Sequence, residues 1–79
     1  MGIKKRRLKL KGGLILETHL HERTGYMTRA YFLGDKQLGN FKRIGVANLA
    51  QKLRIPLDKF AMHVGFDVHN PYTRTKLGL

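Results

Sequence analysis

The sequence has no cysteine and no tryptophan, only two prolines, and only five acidic residues in 79. Without cysteine, disulfides and thiolate metal sites are both excluded. The acids are Glu17, Glu22, Asp35, Asp58 and Asp67, and no two of them make a recognisable catalytic pair. Glu17 near His19 is the general-base couple that the spacing offers, and it falls on a strand with no pocket expected beside it. Asp35 suits a turn and Asp58 the first turn of a helix. No nucleophile motif or phosphate-binding glycine loop occurs, and the nine glycines are scattered at turns. The expectation is a binding protein with no catalytic residues and no cofactor.

Long apolar runs are also missing, so no stretch is suited to crossing a bilayer as a helix. Leu8-Lys9-Leu10-Lys11-Gly12-Gly13 interrupts the hydrophobic segment that a secretion signal needs. A cytoplasmic or nucleoid-associated location follows as an expectation, with no membrane partner. Four histidines raise the question of a metal, and His19 and His21 share one face of a strand. A closed zinc site takes four ligands, however, and nothing in the sequence brings His63 or His69 to that strand. No metal is expected.

What is abundant is positive charge. Sixteen Lys and Arg give a formal net charge of +11, beyond the ~2–8 that solubility asks of a small domain. Such a field draws in polyanions, and nucleic acid is the commonest of them inside cells, with about one charge per 1.7 Å of duplex. A membrane surface would call for a basic amphipathic helix, whereas Arg7-Leu8-Lys9-Leu10-Lys11 has the period of a strand.

Seventy-nine residues suit one domain, 1–79. Residues 1–13 form a basic leader whose first half is expected to be mobile, with Arg7 to Lys11 able to act as an edge strand. Residues 14–20 and 26–33 read as strands, and Gly34-Asp35-Lys36 turns the chain into a third strand, Gln37 to Lys42. Val46, Leu49, Ala50 and Leu53 recur at helical spacing, and Pro56 ends that helix. Beyond it, residues 57–63 can start another helical turn, or Phe60 to Val68 can be a fourth strand; the period does not separate them. The tail, 70–79, reads as irregular. The predicted fold is α+β: a small three-stranded antiparallel sheet, or a four-stranded one, with one helix packed on one face.

Small Ala30 suggests that Thr28, Ala30 and Phe32 face the helix. Leu14, Leu16, Ala30, Phe32, Leu49 and Leu53 are then the predicted core. Met27, Arg29, Tyr31 and Leu33 would lie on the open face, flanked by Lys36, Lys42 and Arg43. An Arg there can read guanine in the major groove, and Tyr31 can stack on a base or touch a phosphate. Lys4, Lys5, Arg6, Arg7, Lys9 and Lys11 of the leader add phosphate contacts.

The segment Thr24-Gly-Tyr-Met-Thr-Arg-Ala-Tyr-Phe-Leu-Gly-Asp-Lys-Gln-Leu-Gly-Asn-Phe, with the alanine-containing helix after it, carries a resemblance. Residues 24–53 resemble the three-strand-plus-helix domains at the amino termini of phage and transposon integrases, and the similar ethylene-response-type domains of plant transcription factors. The pattern departs at Asn40-Phe41-Lys42-Arg43, where the usual Thr or Asp helix cap after the Phe is absent. The resemblance implies a sheet face inserted into the major groove, with Arg29, Tyr31 and Lys36 at the contacting positions. It also implies a phage- or plasmid-type regulator or recombination factor that prefers DNA to RNA.

Three alternatives stand beside it. Residues 48–64 resemble a helix-turn-helix, with Arg54 at the place of the turn glycine and Lys59 and His63 toward DNA. A mobile-element inhibitor would instead use the basic face against a host protein. A ribosome-associated protein would use the leader as an RNA-penetrating arm.

Overall fold

The computed structural model describes residues 2–79; Met1, the first residue of the predicted leader, lies outside the described residues. Four strands, β1 (Ile3–Lys9), β2 (Leu14–His21), β3 (Met27–Leu33) and β4 (Lys36–Arg43), form one antiparallel meander in the order β1-β2-β3-β4. Three helices follow: α1 (Val46–Leu53), α2 (Leu57–Val64) and α3 (Pro71–Leu77). The class is α+β as expected, but the fourth strand is the leader, and there are three helices rather than one.

β1 forms because its alternation continues further than Arg7 to Lys11. Ile3 pairs with His21 and Lys9 with Ile15, the register running unbroken between them. Mutual repulsion of its cations is relieved in part by two ion pairs, Arg7 to Glu17 at 2.7 Å and Lys4 to Glu22 at 3.3 Å. The predicted mobility of the first half is therefore replaced by an edge strand. Gly12 and Gly13, both at positive φ (73° and 77°), make the turn into β2.

The strand alternative for Phe60 to Val68 gives way to helix α2. Pro56 precedes the first turn, Asp58 sits within it, and Gly65 closes the helix in the left-handed conformation. The tail is not irregular either. Asn70 caps α3, its Oδ1 accepting from the Tyr72 amide at 2.9 Å, and Pro71 occupies the first turn, where no amide is needed.

The helices cover one face of the sheet. Leu16, Leu20 and Met27 from the strands meet Val46, Leu49 and Ala50 of α1, Phe60, Ala61 and Val64 of α2, and Val68. This overturns the predicted orientation of β3. Antiparallel partners point to the same side of a sheet, and Met27, Arg29 and Tyr31 pair with Leu20, Thr18 and Leu16, the three most buried residues of β2. Met27, Arg29 and Tyr31 therefore belong to the helix side, and Thr28, Ala30 and Phe32 to the open side. Ala30 is 1% exposed, yet it lies opposite Glu17 and two residues from Phe32; larger neighbours bury it, not a helix. Of the predicted core, Leu16 and Leu49 are fully buried and Leu53 packs half-buried at the margin. Phe32 belongs to the other face, and Leu14 is only half-buried on the helix side.

β3 and β4 pair in two registers. Arg29 faces Lys42 and Tyr31 faces Leu38, so Ala30 alone spans Gly39, Asn40 and Phe41. Gly39, at φ 84°, allows the bulge; the shift is by two residues, so Phe41 keeps the open face that it shares with Gln37 and Arg43.

Candidate nucleic-acid interface

The open face is the side of the sheet that the helices leave bare. β1 contributes Lys5, Arg7 and Lys9, all exposed, since Lys5 pairs with His19, Arg7 with Glu17 and Lys9 with Ile15. β2 contributes Glu17, His19 and His21 between its buried leucines, β3 contributes Phe32, and β4 contributes Phe41 and Arg43.

The rings form a band across the strands. His19 stacks on Phe41 with centroids 4.3 Å apart, and Phe32 lies 6.3 Å from Phe41 in a tilted arrangement. His21 stacks on Tyr26 at 4.1 Å, nearly parallel. Cations lie over the outer rings: Arg43 is 4.6 Å from the centre of Tyr26, and Arg7 is 5.1 Å from that of Phe32. Every ring in the band is half-buried, which fixes its orientation and leaves part of its surface to solvent.

Glu17 holds this arrangement in place. Its carboxylate accepts from Arg7 Nε at 2.7 Å through one oxygen and pairs with His19 Nε2 at 2.7 Å through the other. Burial alone would raise the Glu17 carboxyl, but the hydrogen bonds from His19 and Arg7, with their charge, outweigh it and hold it below its ordinary value. The Glu17–His19 pair that the spacing offers thus forms as a hydrogen bond. Its carboxylate is already occupied on both oxygens.

The predicted contact residues divide between two faces. Lys5, Arg7, Lys9 and Arg43 lie on the open side. Lys4 and Arg6 point to the helix side; Lys4 donates to the Gly65 carbonyl at 2.9 Å and so latches β1 to the end of α2. Lys11 is exposed in the β1–β2 turn, and Lys36 lies at the tip of the β3–β4 hairpin. Arg29, Tyr31 and Lys42 share the helix side, where the Arg29 guanidinium lies 5.2 Å from the Tyr31 ring. The open-face rings Tyr26, Phe32 and Phe41 were missed by the sequence reading. Their signal was the phase of β2: once Leu16 and Leu20 are inward, His19 and His21 are outward with whatever pairs beside them.

The segment that resembles a helix-turn-helix forms two consecutive helices. α1 and α2, eight residues each, are joined through Arg54 at φ 57° and ψ 41°, a left-handed turn made without glycine. The outward side of α2 offers Asp58, Lys59 and Met62, while Phe60, Ala61 and Val64 are buried. Among the described residues no group of three or more His, Asp or Glu gathers in a metal-holding cluster, and no helix is long and apolar enough to cross a membrane. Comparison with protein-family models, curated proteins and solved structures finds no match, so the site is read from its own chemistry.

Proposed function

We propose that this protein binds nucleic acid through the open face of its sheet, with a preference for unpaired strands. The band of rings bordered by Lys5, Lys9, Arg7 and Arg43 carries the reading. Cations supply sequence-independent phosphate contacts. Ring surfaces attract bases whose own faces are free, which single strands offer and a stacked duplex does not. A duplex reading that relies on Arg29 and Tyr31 is weaker, because both belong to the face that the helices cover. A net charge of +11 supports either kind of strand.

The test is fluorescence anisotropy with labelled single-stranded DNA, single-stranded RNA and duplex DNA. Phe41→Ala should weaken binding of single strands by about fivefold or more, the loss of one stacked base at ~1–3 kcal/mol. Duplex binding should change less. Binding of all three probes unaffected by Phe41→Ala would remove the open face from consideration.

A second reading is a helix-turn-helix, which the two consecutive eight-residue helices α1 and α2, joined through the left-handed Arg54, would support. It makes Lys59→Ala the damaging substitution and duplex DNA the preferred probe. With one Lys beside Asp58, the outward side of α2 is poor in charge, so the sheet face is the better candidate. Absence of binding to any probe at low salt would turn attention to a protein partner.

A further inference from the structure

Between the β3–β4 end of the sheet and the start of α1 lies an open pocket of about 580 Å³. Arg29, Lys42, Arg43 and Lys52 line it, and no Asp or Glu does. Among the described residues, no carboxylate comes within salt-bridge distance of any of the four. Four cations converging without a counter-charge are unfavourable as they stand.

Two details sharpen the imbalance. Arg29 and Lys42 are direct cross-strand partners, and like charges directly opposite each other destabilise a sheet. The Arg29 Nε is buried with no hydrogen-bond partner, although a buried donor ordinarily has one. Gly45, the N-cap of α1, also lines the pocket and supplies no side-chain cap. The amides of Val46, Ala47 and Asn48 precede the first intrahelical bond, which Leu49 donates to Gly45 at 3.0 Å. Lys52 follows Asn48 by four residues, so both stand on the same face of α1. The cations line the pocket together with Gly45 and Asn48 of α1, and a tetrahedral anion there offsets positive charge and accepts hydrogen bonds at once.

We infer that this pocket binds a phosphate group, with Arg29 and Lys42 bracketing it from the sheet and Lys52 from α1. The inference goes beyond the open-face reading, because Arg29, Lys42 and Lys52 lie on the other side of the sheet. Arg43, which also lies over Tyr26, links the two. The phosphate can belong to a nucleic-acid strand that rounds the β4 edge or to a free phosphorylated molecule.

The experiment is a titration of the full ¹⁵N-labelled chain with inorganic phosphate, against a chloride control of equal ionic strength. Saturable shifts confined to the Arg29 side chain and the Gly45 and Asn48 amides are expected. Lys42→Gln/Lys52→Gln should weaken the affinity about tenfold, through loss of two charge-assisted contacts; both lysines are exposed, so the fold is kept. Competition with oligothymidylate then names the source. Displacement of phosphate by 5′-hydroxyl and 5′-phosphorylated strands alike identifies a backbone diester, and displacement by the phosphorylated strand alone identifies a terminal phosphate. Displacement by neither identifies a free ligand. Shifts that grow without saturating and spread over Lys5 and Lys9, or an unchanged affinity in the double variant, overturn the proposal. Phosphate alone does not engage the rings of the open face, so this failure is distinct from that of the sheet reading.

Discussion

Lys5→Gln/Lys9→Gln is the perturbation that isolates the electrostatic part of the open face. Both side chains are exposed on β1, and neither takes part in an ion pair among the described residues. The strand pairs with β2 through backbone groups that the substitutions leave intact. Four residues of extended chain separate the two lysines by ~13 Å, far enough apart for each to engage a different phosphate. Each lost contact with a single strand should flatten the slope of log K against log salt by ~0.7, so the double variant should lose ~1.4. Between about 50 and about 200 mM salt, the ratio of wild-type to variant affinity should then fall about sevenfold. Anisotropy titrations at four or more salt concentrations, with circular dichroism to check the fold, measure this directly. A double variant that binds with the wild-type slope refutes the assignment of phosphate contacts to β1. If Lys59→Gln flattens the slope instead, the helix-turn-helix surface takes its place.

Leu49 is fully buried between α1 and the sheet, so Leu49→Ala should cost about 2–5 kcal/mol in a denaturant melt; a loss below ~1 kcal/mol would contradict the core as described. Thr18 Oγ1 is buried without a partner, so Thr18→Val should leave stability unchanged or raise it by ~1 kcal/mol, and a clear loss would reveal a hydrogen bond at that hydroxyl. The lowered Glu17 carboxyl binds its proton less readily folded than unfolded. Its stabilising contribution is therefore complete above the ordinary value of 4.5 and drains away as pH falls through the lowered folded value. Melts across that acid range should show a fall that Glu17→Gln flattens, and identical pH profiles would count against the Arg7–Glu17–His19 network.

The strands and the first helix were legible because their periods are clean. Leu14 to Leu20 and Met27 to Leu33 alternate, and Val46, Leu49, Ala50 and Leu53 recur at helical spacing. Alternation says which residues share a face, but not which face is covered. Ala30 misled that choice: a small residue is equally suited to lying beneath a helix or beneath its own larger neighbours, as it does beside Glu17 and Phe32. Leu16 and Leu20, read across the register, decide the matter. The end signals of the later helices were present but local. Asn70-Pro71 is a cap followed by a first-turn proline, obscured by two threonines of low helix propensity. β1 was hardest to see because cations occupy both of its faces, and Lys4 is accommodated on the covered side by reaching the Gly65 carbonyl and the Glu22 carboxylate.

That β1 is a strand changes the chemistry assigned to its charges. A mobile leader would meet phosphates wherever they lie and would lose conformational freedom on binding; a strand presents Lys5, Arg7 and Lys9 at fixed spacing beside the rings, with that cost already met in folding. Charged residues on an edge strand have another use, since they discourage pairing with a second sheet. The two roles differ in what they require of the far side. Edge protection is local to β1 and is satisfied by one or two lysines. It gives no reason for Arg43 to lie over Tyr26 on β4's side of the sheet, or for Phe41 to stack on His19. Edge protection alone predicts that Lys5→Gln/Lys9→Gln aggregates while the salt slope stays fixed; phosphate contact predicts a flatter slope from a monomeric variant. Because the cations and rings extend from β1 to β4 on one face, a binding surface accounts for more of the molecule than a guarded edge does.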